Sequence, residues 1–462
     1  MKPHKNWSFS PYKPLFFDTG DIYICRVAPT EDTISFDWLP LDDEKAQYTV
    51  YCRERDTGEF AVIKQTEECT CTISGLAYEH TYEFFVESNG KRSRVRLARC
   101  GESFGTTVNY LHPDDLCYNF SGRYLCSPSL VRHPDGYLLA SMDVYQAGYP
   151  QDLTLIFRSD DDGKTWRYVS ELFPCFWGKM FIHNGELYMI SNSHEYEDIL
   201  IGKSTDGGKT FTTPTVLMRG SGGRNGEAGC HRTPMPVVER DGRIWNTVEW
   251  GTWAQDYHAV MVLSAPVDSD LLDPDSWTFS EPVKYDPCWP GLPAGPSAGN
   301  MEGNLVEVNG KFCNVMRYDM SRLERNYGLI MAYEVDTAHP EAPLKFYKTI
   351  EFPANHSKFQ FAYHESSKKY YTLASRITQP EYIDARNLLS LMASEDLEHW
   401  EVVQDVADKR DVEWTKCGFQ YVDVMIEGDT LYFLCRTAIN GAASFHDANY
   451  SSFGKIDLTQ FA

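Results

Sequence analysis

The stretch Ser159-Asp160-Asp161-Asp162-Gly163-Lys164-Thr165-Trp166 restricts the fold more than any other part of the chain. It reads S-x-D-x-G-x-T-W, a compact turn between two extended segments. The Asp161 carboxylate can accept hydrogen bonds from nearby backbone N–H groups, and Gly163 can take a positive φ without steric cost. Trp166 can fold back as the apolar plug of the turn. The pattern returns at Ser204-Thr205-Asp206-Gly207-Gly208-Lys209-Thr210-Phe211. A worn copy, Ser394-Glu395-Asp396-Leu397-Glu398-His399-Trp400, lacks the glycine and is one residue shorter. One copy would be a turn; three indicate a repeated β unit.

Around these turns the chain divides in two. Residues 15–100 carry seven short strand-like runs, at 21–27, 33–39, 48–53, 60–64, 71–76, 82–88 and 94–98, which fit an immunoglobulin-like sandwich with Trp38 in its core. Residues 101–120 read as a polar connector without a clear period. The second domain, 110–462, is a long series of short strands. Hairpin turns punctuate it at Pro134-Asp135-Gly136, His183-Asn184-Gly185, Arg240-Asp241-Gly242, Val308-Asn309-Gly310 and Glu427-Gly428-Asp429. No stretch of useful length keeps a helical period, which argues against parallel α/β folds. Roughly 340 residues, at roughly 40–60 per four-stranded unit, give a closed propeller of six blades, with five or seven also compatible. The expectation is an all-β chain whose function sits where inner-strand ends and long loops converge.

The net charge of −23 argues against a nucleic-acid partner, yet leaves room for an acidic ligand held by a local arginine cluster. The 13 cysteines have no metal-site spacing and are expected to be mostly buried or free thiols in a reducing compartment. Residues 1–12 lack an apolar core for a signal peptide, and no run of 18 apolar residues occurs, so a cytoplasmic, membrane-free protein is expected. The Gly-rich runs 207–208 and 220–226 do not make a phosphate loop, and no cofactor or metal is expected.

The repeated turns resemble the Asp boxes of the sialidase superfamily of β-propellers. The segment Ile73-Ser74-Gly75-Leu76, followed by Tyr82, Phe84 and Val86, resembles the fibronectin type III pattern, which implies a spacer or docking module. In the sialidase family the boxes lie on the rim away from the catalytic face. The resemblance implies three arginines around a substrate carboxylate, a Tyr nucleophile assisted by a Glu, and an Asp acid/base; this departs from the usual carboxylate pair of glycosidases. The run from Met301-Glu302-Gly303-Asn304 to Asn314-Val315-Met316-Arg317 is similar to the family's segment with the assisting Glu and an arginine. Glu302 is thereby the expected base and Arg317 a carboxylate ligand. Arg386, ahead of the worn box, matches another arginine, Tyr421 the nucleophile and Asp152 the acid/base.

One position departs from that pattern. In Tyr124-Leu125-Cys126-Ser127-Pro128-Ser129, Cys126 stands where the family's first arginine belongs. A thiol supplies neither charge nor a fork of donors, and loss of one arm of such a clamp costs about 1.5–3 kcal/mol. Other groups then enter as candidates: His231 as an acid/base, Arg232 and Trp250 as a sugar site beside it, and Arg436 as a further anion ligand. The reading is a glycoside hydrolase acting on a terminal acidic sugar, sialic acid or another carboxylate-bearing sugar. Its rivals are a lyase acting on a uronate, with His231 or Tyr421 abstracting the proton, and a non-catalytic glycan-binding propeller.

Overall fold

A computed structural model describes residues 22–41, 46–221, 226–255, 257–292, 299–319 and 328–461. Residues 15–21 of the expected sandwich and most of the Gly-rich run 220–226 lie outside the described residues. The rest is all-β, as the patterning predicted. Two antiparallel sheets form the N-terminal part. One contains Ile24–Pro29, Thr33–Trp38 and Thr70–Ser74; the other is built on Tyr48–Glu54 and Thr81–Ser88. Alternation along Thr33–Trp38 sends Ile34, Phe36 and Trp38 inward. There the Phe36 ring meets Phe84 at 4.4 Å and Trp38 meets Tyr48 at 5.3 Å. The Tyr82 hydroxyl accepts the Ala77 N–H at 2.8 Å and ties the corner between two strands.

Six further sheets of four or five strands follow, each an antiparallel meander and thus a propeller blade. Their inner strands are Tyr124–Arg132, Phe176–His183, the pair Gly229–His231 and Val238–Arg240, Gly299–Val308, Ala362–His364, and Gly418–Glu427. The sixth blade runs Gly418–Glu427, Thr430–Ala438, Tyr450–Asp457 and then Thr106–Tyr110. The ring is therefore closed by a strand from the supposed connector. Its sequence, Thr-Thr-Val-Asn-Tyr, is almost wholly buried, so no alternation betrayed it. The propeller starts at Thr106 rather than 110.

The repeated turns join the third and fourth strands of the first, second and fifth blades. In the first, Thr165 donates from its N–H (2.8 Å) and its hydroxyl (2.6 Å) to Asp161, and Gly163 N–H donates to Ser159 Oγ at 2.8 Å. Gly163 has φ +87° and abuts the Phe453 ring, so neither conformation nor space admits a side chain. The worn copy keeps the design by substitution: the His399 ring takes the place of the threonine hydroxyl, 2.6 Å from Asp396.

The sandwich is welded to the ring. The Arg96 guanidinium, 2% exposed, donates to Asp115 at 2.6 Å and to Ile24 O. Arg26 donates to Val108 O and Val27 N–H to Asn109, which fastens the sandwich to the closing strand. Tyr23 donates at 2.8 Å to Glu171, a fully buried carboxyl on the first blade. Burial pushes Glu171 up to about 8 from its ordinary 4.5. A carboxyl raised in the folded state gives stability that is complete below the unfolded value and is lost as pH rises through the folded one. The midpoint of urea unfolding of the wild type should therefore fall as pH is raised toward about 8, and Glu171→Gln should flatten that fall; an unchanged slope in the variant would refute this account.

Four blades also meet on one buried carboxylate. Lys179 of the second blade donates to both Asp423 oxygens, at 2.8 and 2.6 Å. Leu130 N–H of the first blade donates to Asp423 at 2.6 Å. Lys358, leading into the fifth, is fully buried 3.9 Å from Asp423 and donates to Val422 O. Burial pushes Lys358 down to about 8, with Asp423 resisting. Removing the carboxylate leaves two ammonium groups buried without a counter-charge. Asp423→Ala is expected to cost about 3–5 kcal/mol in chemical denaturation, whereas Lys358→Met, which removes a charge rather than orphaning one, should cost far less.

Candidate active site

The inner strands share a device that the sequence patterning does not announce. In four blades the strand carries one extra residue near its start, and the residue after the last regular pair has positive φ. These are Ser127 (49°), Trp177 (53°), Glu302 (61°) and Tyr421 (55°). Such a bulge re-aims a side chain along the strand axis instead of into the sheet face. Left-handed backbone at a non-glycine residue costs about 1–3 kcal/mol and marks positions held for a purpose. At the Glu302 bulge the next residue is Gly303, where a Cβ would meet the Asn314 side chain at 1.9 Å.

Three of these bulges, at Trp177, Glu302 and Tyr421, are tied at or near the left-handed residue to the second strand of the preceding blade, and the inner strand of the third blade is tied in the same way. Asp143 accepts the Trp177 N–H at 2.6 Å, Asn192 donates to Cys230 O at 2.9 Å, and Glu249 accepts the Glu302 N–H at 3.0 Å. Ser375 donates to Phe419 O, two residues before Tyr421. The residues of the second strand that face the last pair before each bulge are Asp143, Asn192, Arg317 and Arg436. This places Arg317 and Arg436 at equivalent points of the fourth and sixth blades. It also puts the site at the end of the blades opposite the repeated turns.

Tyr421 is the focus. Arg317 Nη1 lies 3.3 Å from its hydroxyl and donates to Glu302 Oε2 at 3.0 Å. The Arg386 and Arg436 guanidinium carbons lie 5.6 and 5.3 Å from the centre of its ring. Arg386 is also held over Phe445 and by His356 O and the Gln420 side chain. Arg436 is held over Tyr145 and by His446. Glu302 is in ion-pair contact with Arg317; among the described residues Arg386 and Arg436 have neutral hydrogen-bond partners. Two buried guanidinium charges thus lie close together in a strongly acidic chain.

The protonation states follow. Burial would raise Glu302, but Arg317, then His231 and the Tyr421 hydroxyl, outweigh it and hold the carboxyl below its usual 4.5. Burial, then the Glu302 charge, pushes Tyr421 above its ordinary 10, against the pull of the three arginines. At neutral pH the site is a phenol beside a carboxylate able to take its proton. Burial lowers Arg386 to about 10, which still leaves it charged.

Among the sequence candidates, Glu302, Arg317, Arg386, Arg436 and Tyr421 converge. Asp152 precedes the strand Leu153–Ser159 at the same end of its blade, with its carboxylate 3.7 Å from His194 Nδ1. His231 sits against Trp177 with its ring 4.6 Å away, and its Nδ1 is 2.7 Å from Glu249. Two candidates require correction. Arg232 is fully buried and spends its guanidinium on Trp177 O, Ile190 O and Asn246, so it braces the neighbouring bulge and cannot meet a sugar. Trp250 pairs with Cys230 on the sheet face opposite to His231 and packs into the apolar layer with Met261 and Leu263. Trp177, at its bulge, is the tryptophan turned toward His231. His446, which holds Arg436, lies in a loop with its Nδ1 3.1 Å from the Asp447 carboxylate. Arg376 is paired with Asp405 at 2.8 Å away from this cluster. Glu249 escaped notice because an isolated glutamate in a strand carries no sequence signal. No group of three or more metal-ligating side chains is assembled among the described residues.

A scan against models of known protein families gives no match, and a search of curated proteins gives none. Solved structures do resemble the chain. A Penicillium chrysogenum α-L-arabinanase in complex with arabinobiose aligns over 78% of this chain and 99% of its own, with 16% identity and a TM-score of 0.52. The α-L-arabinofuranosidase Arb93A of Fusarium graminearum aligns over the same shares with 14% identity and a TM-score of 0.51. An ulvan lyase of family PL25 spans 99% of the chain at 10% identity, but its TM-score of 0.39 carries no weight. At these identities the likeness establishes the β-propeller architecture.

Proposed function

We propose that this protein is a glycoside hydrolase acting at the end of a glycan on a sugar that bears a carboxylate beside its anomeric carbon. The observation that carries the reading is the convergence of Arg317, Arg386 and Arg436 on Tyr421, with Glu302 as the accompanying carboxylate. Three guanidinium groups suit an anionic ligand, since charge-assisted, planar contacts are the strong ones. An anionic nucleophile would be repelled by such a substrate, whereas a phenol is neutral until it attacks. Glu302, ionised and in reach, takes its proton. Arg436 supplies the third guanidinium where Cys126 offers none, and so supports a sialidase-like clamp assembled from a different blade. The environment differs from a first-blade arginine: Tyr145 and His446 accompany it. That difference favours a carboxylate-bearing sugar other than sialic acid.

The reading is tested on a panel of 4-nitrophenyl glycosides of N-acetylneuraminic acid, a 3-deoxy-2-keto acid sugar and glucuronic acid. Wild type should release nitrophenol from at least one of the first two, which carry the carboxylate beside the anomeric carbon; release from the glucuronide alone would overturn that placement. Tyr421→Phe and Glu302→Gln should each lower kcat/KM by about 10²–10⁴-fold. Arg436→Gln should weaken binding of the free acid sugar by about 10–100-fold, the loss of one charge-assisted contact. Because Glu302 must be ionised, the acid limb that it sets should lie below 4.5. Turnover unaffected by Tyr421→Phe would exclude the tyrosine mechanism, and an unsaturated product absorbing in the ultraviolet would move the protein to the lyase class.

A further inference from the structure

The clamp and the nucleophile leave unassigned the group that protonates the departing oxygen. Asp152 is at the right end of its blade, but its carboxylate faces His194. A second arrangement is built more tightly around Glu302 itself. Glu249 is fully buried, and its two oxygens do different things: Oε1 accepts the Glu302 N–H at 3.0 Å, and Oε2 lies 2.7 Å from His231 Nδ1. One carboxyl group thus holds both the left-handed backbone of the base and an imidazole. The ring of His231 is fixed by Trp177 (4.6 Å), His258 (4.8 Å) and Tyr196 (5.8 Å). Tyr196 is itself locked, with its hydroxyl 3.3 Å from His258 Nε2 and accepting the Trp253 N–H. His231 Nε2 has no hydrogen-bond partner among the described residues.

We propose that His231 and Glu249 form a proton relay that delivers a proton to the leaving-group oxygen, with His231 Nε2 as the donor and Glu249 as the residue that positions and recharges it. The proposal rests on the hydrolase reading above. The groups facing His231 are Tyr196 from the second blade, Glu249, Arg232 and His258 from the third, and Glu302 and Arg317 from the fourth. Burial, with repulsion from Glu302, raises Glu249 well above the carboxylate range, while burial brings His231 down to about 4. Both effects favour the same state: a neutral Glu249 whose O–H donates to Nδ1, and a neutral imidazole that carries its hydrogen on Nε2.

The proton count closes. Tyr421 oxygen bonds to the anomeric carbon and its proton passes to Glu302. The glycosidic C–O bond breaks, its electron pair stays on the leaving oxygen, and that oxygen takes the Nε2 hydrogen. In the same step Nδ1 takes the Glu249 proton, so the ring stays neutral and a carboxylate is left faced by the Glu302 N–H. Water attacks the anomeric carbon and gives a proton to Nε2, Nδ1 returns one to Glu249, and Tyr421 departs and recovers its own from Glu302.

Leaving-group dependence tests this on the full chain. On the methyl glycoside of the acidic sugar that wild type hydrolyses, His231→Ala should lose about 10²–10⁴-fold in kcat/KM. On the 4-nitrophenyl glycoside, whose leaving group needs little protonation, the loss should stay under about tenfold. Glu249→Gln, which can keep both hydrogen bonds but cannot pass a proton, should show the same split and a shifted basic limb. The relay is overturned if Asp152→Asn gives that split and His231→Ala does not. A second readout needs no turnover: nitrogen NMR of histidine-labelled wild type near neutral pH should show His231 neutral with hydrogen on Nε2. A ring with hydrogen on Nδ1, or a charged ring, overturns the relay even where hydrolysis is confirmed. If wild type hydrolyses no acidic glycoside, the function reading fails first, and the NMR result still decides whether the hydrogen-bonded pair is as described.

Discussion

The hydrogen bond from the Glu302 N–H to the Glu249 carboxyl is one member of a set that recurs around the ring with changing chemistry. Asp143, Asn192 and Ser375 play the same part for other blades, each from a second strand and each reaching the inner strand of the next blade. Two of the ties, to the Trp177 and Glu302 N–H groups, fall on left-handed residues, each of which costs about 1–3 kcal/mol. A neutral hydrogen bond returns about 0.5–1.5 kcal/mol, so such a tie offsets part of that cost. Glu302 and Tyr421 are aimed by the same device that places Ser127 and Trp177 at their bulges. The site is thus a local use of a feature that the scaffold repeats.

Position on the second strand explains the arginines in the same way. Arg317 and Arg436 face equivalent points, while the equivalent residue of the first blade is Asp143, opposite Cys126. Burial pushes the Cys126 thiol far above its ordinary range, although the Arg436 charge acts on it in the other direction. The first blade therefore offers the cluster no cation, and the sixth does. A positive cluster in a chain of net charge −23 also concentrates the field locally, since a cleft with low-dielectric walls focuses it.

Much of this was legible in the sequence for a physical reason. Turn chemistry is local: Ser, Asp, Gly and Thr at fixed spacing dictate their own hydrogen bonds, so the repeated unit could be read from the turns and the number of blades from the length of the segment. Even the worn copy obeyed, once His399 is seen to replace a hydroxyl. Glu302, Arg317, Arg386 and Tyr421 were legible because their order along the chain resembles a known pattern, and Arg436 as a further cation on a late strand. What stayed hidden is what distance in sequence conceals. Glu249 meets Glu302 across 53 residues and Lys179 meets Asp423 across 244. Arg232 and Trp250 were misjudged because proximity to a promising histidine says nothing about which face of a strand a side chain takes. The closing strand at Thr106–Tyr110 was missed since burial on both faces erases alternation.

That closing strand has a consequence for how the molecule is made. Thr106–Tyr110 emerges before all the strands of the other blades, yet its partner, Tyr450–Asp457, emerges after them. The ring cannot shut until translation has passed Tyr450–Asp457, and pairing of such distant segments is slow. Through that wait the nascent strand would be an open sheet edge, a template for aggregation. The contacts of Arg26 and Val27 with Val108 and Asn109 suggest what shelters it. In this light the N-terminal sandwich is a cradle that holds one end of the clasp until the other arrives.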